Sequence, residues 1–284
     1  MIPVLLTHIK TRDGISLEGI GALPPQRSKT ALIWIHGLSS NFASSQTRTE
    51  ALARACLKNR IAFLKFNTRG HDIAARSGKK LIGAGFEKFT DCVYDIRAMI
   101  RFAKKLGSNT IVLAGHSTGA NKALYYIYKT RDRSVKGISL IGAINDVAAD
   151  RKLHGIARSR ARVRMAEKLF KKNPFALMPP TCGIITAARY LSLYRPGGAE
   201  DVFPYHDLNA QWKELASVHI PISLIIGSRD EYLDIPLKQY IETFRVHAAS
   251  TKSFSSAIIK GAHHSFREKE KELSRVIIDW IKNK

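Results

Sequence analysis

Short continuous apolar runs alternate along this chain with longer stretches in which apolar residues recur every three or four positions. Ala31-Leu32-Ile33-Trp34-Ile35 is of the first kind and reads as a strand, as do the mainly apolar stretches over 61–66, 111–114, 135–143, 221–227 and 256–260. The first is apolar throughout, which predicts a strand covered on both faces. Before them, residues 5–10 and 15–22 flank Arg12-Asp13-Gly14 and predict a β-hairpin. Stretches of the second kind predict helices over 46–58, 86–106, from Ala120 onward, 236–246 and 268–281. In the second of these the stripe is Phe89, Val93, Ile96, Ile100 and Ala103. Short strands interleaved with amphipathic helices imply an α/β fold, a mostly parallel eight-stranded sheet flanked by helices on both faces. The Gly-, Lys- and Arg-rich stretch from Asn67 to about Gly85 is expected to be a surface loop.

The rhythm stops near Asn145 and resumes at Pro221. We therefore divide the chain into a core, 1–144 and 217–284, and a helical lid inserted over it, 145–216. Within the insertion, Leu153, Ile156, Val163, Ala166 and Phe170 form a helix-like stripe over 151–172. Nine Arg and Lys residues crowd the rest of that stretch, and Pro174, Pro179 and Pro180 end it.

Composition narrows the class. A chain of 284 residues, 45% hydrophobic, can bury a large α/β core and is not expected to be disordered. No apolar run approaches the roughly 20 residues of a membrane span. Residues 1–8 lack the basic start of a signal peptide, so none is expected. Cys56, Cys92 and Cys182 are far apart and read as buried thiols in a reducing compartment, which points to the cytoplasm. They suggest neither a disulfide frame nor a metal site. The net charge of +23 raises the local concentration of anions without choosing among them. No aromatic-basic RNA motif accompanies it, so nucleic acid is not the expected partner. Weak contact with an acidic membrane is compatible with it.

The chemistry gathers around one turn. Ile111-Val112-Leu113-Ala114 runs into Gly115-His116-Ser117-Thr118-Gly119 and then into a helical pattern. Strand, sharp turn and helix would hold the Ser117 hydroxyl off the end of a sheet. A serine hydroxyl needs a base, and the base needs an orienting group. In an α/β sheet such groups collect at the carboxyl ends of strands. After the last strand comes Gly261-Ala262-His263-His264-Ser265-Phe266, which offers His264 with His263 as rival. After the preceding one comes Gly227-Ser228-Arg229-Asp230-Glu231-Tyr232, which offers Asp230, with Glu231, Asp234 and Asp146 as alternatives. The backbone N–H groups of Thr118 and of Leu38, just past His36-Gly37, are the candidate oxyanion donors. His36 is expected to brace its loop, and His116 and His71 to be structural or to line a pocket.

Taken together, these stretches resemble an α/β-hydrolase over nearly the whole length. The match lies in Ile35-His36-Gly37, Asn67-Thr68-Arg69-Gly70-His71, the Ser117 elbow, Gly227-Ser228-Arg229-Asp230 and the segment ending His263-His264-Ser265-Phe266. The resemblance implies a Ser117, Asp230, His264 triad and favours His264 over His263 by its distance from the strand-end glycine. It also implies a lid between the strands ending near Ala143 and starting near Pro221. Two features depart from it: Asn67 stands where the family usually has Asp, and the lid is far more basic than most.

The expected activity is hydrolysis of a carboxylic ester or thioester through an acyl-enzyme, with no metal or cofactor required. The basic lid suggests an anionic small-molecule ester. A neutral histidine base predicts activity that falls below about pH 6. A peptidase or acyltransferase would use the same triad. A non-catalytic protein that binds nucleic acid or acidic membrane through its positive face is the alternative from another class.

Overall fold

The computed structural model describes residues 2–207 and 209–284. Strands β1 (Leu5–Lys10) and β2 (Ser16–Ala22) form the first hairpin, followed by β3 (Thr30–Ile35), α1 (Gln46–Lys58) and β4 (Ala62–Phe66). Next come the short strands β5 (Ala75–Ser77) and β6 (Lys80–Ile82), then α2 (Cys92–Lys105), β7 (Thr110–His116), α3 (Thr118–Thr130) and β8 (Val135–Ile141). Four helices follow without a strand of the main sheet: α4 (Asp146–His154), α5 (Ile156–Lys172), α6 (Ala187–Tyr194) and the single turn α7 (Lys213–Ala216). The chain closes with β9 (Ile222–Gly227), α8 (Leu237–His247), β10 (Phe254–Ile259) and α9 (Glu270–Asn283).

Eight strands form one sheet in the order β1-β2-β4-β3-β7-β8-β9-β10. The β1–β2 and β2–β4 pairs are antiparallel and the rest parallel. The continuous apolar runs have a simple cause. Successive strand residues point to opposite faces, and both faces are covered. Ile33, Ile111, Leu113 and Leu224 pack with Ile96, Met99, Leu124 and Phe244 of α2, α3 and α8. Leu32, Trp34, Val112 and Ile225 pack with Leu52, Cys56, Leu273 and Ile277 of α1 and α9 on the other side.

Several expectations are corrected. The stretch after Phe66 is not all loop, because β5 and β6 pair antiparallel across Gly78. The helix expected from Phe86 begins later, since Phe89–Asp91 is a 3-10 turn that leads into α2. The single helix expected over 151–172 is two helices. Gly155, at φ 80° and ψ 149°, breaks it in a conformation that residues with a Cβ avoid. Cys56 and Cys92 are buried, whereas Cys182 is only half-buried; all three are free thiols. No helix among the described residues is long and apolar enough to cross a membrane.

Lys65 sits in β4 with its whole side chain buried. Its Nζ donates to the Ser44 carbonyl (2.5 Å) and to Thr49 Oγ1 (2.9 Å). Burial, with the nearby Arg48 charge, pulls its pKa down to about 7. Because the unfolded chain keeps a lysine near 10.4, it binds more protons than the folded one between those values. Folding stability should therefore rise with pH from about 7 to 10, at up to roughly 1.4 kcal/mol per pH unit from this group. Urea midpoints at neutral and alkaline pH should show the rise in the native chain and lose it in Lys65→Met.

Candidate active site

The elbow is a feature of backbone geometry. Ser117 follows β7 and occupies the N-cap position of α3 at φ 56° and ψ −131°, a conformation that side-chain-bearing residues seldom adopt. The small residues around it make the turn possible. A Cβ on Gly115 would collide with the Gly119 carbonyl, and one on Gly119 with the Ile35 carbonyl, so β7, α3 and β3 meet backbone to backbone. The Ser117 N–H donates to the Ile141 carbonyl (2.9 Å), tying the turn to β8.

The two histidines of the doublet differ in burial. His264 is 8% exposed, and its Nδ1 lies 2.9 Å from Asp230 Oδ2, whose side chain is fully buried. His263 is exposed and stands 3.6 Å from Glu231. Glu231 instead accepts the backbone N–H of His264 (2.9 Å), and Asp230 Oδ1 accepts the Tyr232 N–H (3.1 Å). Tyr232 sets its ring edge-on to His264 at 4.8 Å. Asp234 is exposed and bonds to neither histidine.

Ser117, Thr118, Leu38 and His264 line one cavity of about 440 Å³, with Asp230 behind the histidine. No hydrogen bond joins Ser117 Oγ to His264 in this conformation; such bonds commonly tighten only with substrate bound. Among the described residues, neither the Leu38 nor the Thr118 N–H donates to a protein acceptor, so both stay available at the cavity wall.

Three further histidines fall where expected. His36 Nδ1 bonds the Gly37 carbonyl (2.8 Å), and its Nε2 accepts the Thr68 N–H (2.9 Å), which braces the loop after β3 against the corner after β4. Burial, with the Lys122 charge, drives its pKa down to about 3, so the ring stays neutral and cannot drop the brace. His116 Nε2 bonds the His264 carbonyl (2.8 Å) and lines the cavity; burial holds its pKa well below the usual value. His71 pairs with Asp72 at 2.8 Å, away from the cavity. Asn67, the departure noted above, accepts the Phe42 N–H (2.8 Å) and donates to Glu18 (3.2 Å). An Asp could not make the second bond.

Sequence reasoning missed part of the cavity. None of the nine basic residues of 151–172 lines it; Arg48, Asp146 and Asp150 do. Arg48 lies buried in α1, donates to the Ser265 carbonyl (2.9 Å) and sits over the Trp34 ring. Asp146, a candidate triad acid by its strand-end position, makes no bond to His264. Burial pushes its carboxyl up to about 7. Behind the wall lies a buried ion cluster. Lys122 of α3 and Arg189 of α6 both bond Glu87 (2.8 and 2.9 Å), and Arg189 also pairs with Glu200. The available signal was Lys122 itself, a lone charge among Ala120, Ala123 and Leu124.

The family model described as "Protein of unknown function (DUF1749)" matches residues 26–283. The chain belongs to the DUF1749 family. Among curated proteins none matches it significantly. Solved structures similar to this family member include an esterase of Pyrococcus furiosus, 19% identical, with a TM-score of 0.64 over 99% of this chain and 91% of that one. Est1E of Butyrivibrio proteoclasticus, solved with ferulic acid bound, is 16% identical, with a TM-score of 0.63 over 98% of both chains. The carboxylesterase CesB of Bacillus subtilis is 18% identical, with a TM-score of 0.62 over 100% of this chain and 93% of that one. Across nearly the whole of this DUF1749 chain, the likeness establishes the α/β-hydrolase fold.

Proposed function

We propose that this chain is a serine hydrolase that cleaves a carboxylic ester of a small molecule through an acyl-enzyme on Ser117. The observation that carries the reading is His264, buried, held by Asp230 at 2.9 Å and sharing one cavity with Ser117 on its strained turn. His264 Nε2 takes the proton of Ser117 Oγ as the oxygen adds to the acyl carbon. The Leu38 and Thr118 N–H groups bind the oxyanion. His264 then gives the proton to the departing alcohol, and the ester C–O bond breaks. Water, deprotonated by His264, adds to the acyl-enzyme; collapse of that adduct releases the acid and returns the proton to Ser117. Asp230 keeps the His264 Nδ1 proton in place throughout.

Residues 145–216 serve in this reading as the lid, with Asp146, Asp150 and Tyr194 forming its inner wall. An anionic substrate finds little support there. The lid cations lie outside the cavity, where they can raise the encounter rate of an anion but not hold one at Ser117. The three esterases of like fold are in keeping with an ester as substrate, and ferulic acid in Est1E shows an aromatic acid accommodated in that relative.

Labelling with a fluorophosphonate and mapping of the modified peptide tests the proposal without choosing a substrate. One adduct is expected, on Ser117, absent after heat unfolding and in His264→Ala. No labelling under conditions that modify a control serine hydrolase would overturn it.

A further inference from the structure

Exposed apolar side chains cluster where residues 170–184 meet the β5–β6 hairpin. Phe175 is 75% exposed, Ile184 58%, Leu177 55% and Leu81 49%. They form one neighbourhood. Phe170, Phe175 and Leu81 line a groove of about 980 Å³, separate from the Ser117 cavity. The strip that carries Leu177 and Ile184 is pinned beside it: Leu177 bridges Thr186, and the Thr186 N–H donates to the Gly85 carbonyl (2.9 Å).

The charge around this patch is positive, and of its lysines only Lys80 donates to the protein, to the Asp13 carbonyl (2.5 Å), among the described residues. Lys168, Lys171 and Lys172 in the last turns of α5, and Lys79 and Lys80 at the hairpin tip, are exposed. Among the described residues none of them forms an ion pair with an acid. The acids of the groove are already taken. Arg69 pairs with Asp13 (2.9 Å) and Asp91 (3.4 Å), and Lys122 and Arg189 hold Glu87.

We propose that this face docks on an anionic lipid surface. Phe175 and Leu177 enter the boundary between headgroups and acyl chains while the lysines meet the lipid phosphates. An exposed apolar patch alone would suit any apolar partner. Its union with unpaired lysines selects a surface that is apolar within and anionic at its rim. A nucleic acid would satisfy the lysines, but it offers nothing to the aliphatic Leu81, Leu177 and Ile184.

The test is co-sedimentation of the full chain with vesicles at low salt. Mixed phosphatidylglycerol–phosphatidylcholine vesicles should bind it at least about tenfold more tightly than phosphatidylcholine alone. The double variant Phe175→Ser/Leu177→Ser should weaken that binding by about tenfold or more, and Lys171→Glu/Lys172→Glu by a similar factor. All four positions are exposed, so thermal melting should be unchanged. In Phe175→Trp, acyl-chain-brominated anionic lipid should quench fluorescence beyond the level seen in the native chain. The proposal is overturned by equal affinity for both vesicles, by anionic binding that the serine variant does not weaken, or by an absence of extra quenching. Duplex DNA bound more tightly than vesicles, and unmoved by the serine variant, would assign the face to nucleic acid instead.

Discussion

On the proposed mechanism, Ser117→Ala is expected to lower ester turnover by roughly 10⁴–10⁶-fold and to leave the fold intact. The substitution removes one oxygen and keeps the Cβ, so the turn at φ 56° is neither relaxed nor further crowded. The remaining groups stay in place, because the His264–Asp230 bond and the His116 bond to the His264 carbonyl do not involve the serine. Residual activity would then rest on binding and on the two proposed N–H donors. Asp230→Asn is expected to retain more activity than Ser117→Ala, since nucleophile and oxyanion donors survive. Steady-state kinetics on a simple ester, with thermal melting as a folding control, give the answer. A Ser117→Ala protein that keeps a tenth of native turnover would remove the serine from the mechanism.

The second large effect is on stability. Glu87→Ala is expected to cost about 3–5 kcal/mol, a large part of the roughly 5–15 kcal/mol that holds a domain folded. The loss is large because Lys122, about 1% exposed, would be left as a buried cation without its anion, while Arg189 would keep only the Glu200 anion. Burial alone would raise the Glu87 pKa, but the two cations outweigh it and hold the carboxyl below its usual range. A depressed carboxyl pKa contributes stability that is present above the unfolded value near 4.3 and is lost as pH falls through the folded value. Urea unfolding at pH 7 should show a midpoint well below the native one. A midpoint within a few tenths molar of native would mean that water replaces the carboxylate at no cost. The cluster also links α3, which starts at the elbow, to α6 in the insertion, so the loss should loosen both together.

Legibility in the sequence followed the range of the interactions. Strands β3 and β7 were plain because burial on both faces leaves a continuous apolar run, and β9 nearly so, with Ser223 inside it. Helix α1 was read to its ends for the same local reason, a period of three to four. The short β5–β6 hairpin was not legible, because three residues per strand carry no period. The break at Gly155 left a local sign, a glycine inside an amphipathic stretch, but the stripe that continues across it concealed the break. The candidate site divides the same way. Ser117 stood out because its turn needs glycine on either side within a few residues. His264 and Asp230 could be ordered by strand ends, but the doublet and the four candidate acids differ only in what they face.

The sequence alone determined the layered α/β architecture, the elbow and the strand ends where chemistry would gather, because each rests on periodicity or on the steric demands of adjacent residues. The tertiary structure decided that His264 is buried against Asp230 while His263 meets solvent, and that the cations of residues 151–172 stand outside the cavity that Asp146 and Asp150 line. It alone joined Glu87, Lys122 and Arg189. These are contacts between residues far apart in the chain, and a side chain's partner across space leaves no trace in the pattern of its neighbours.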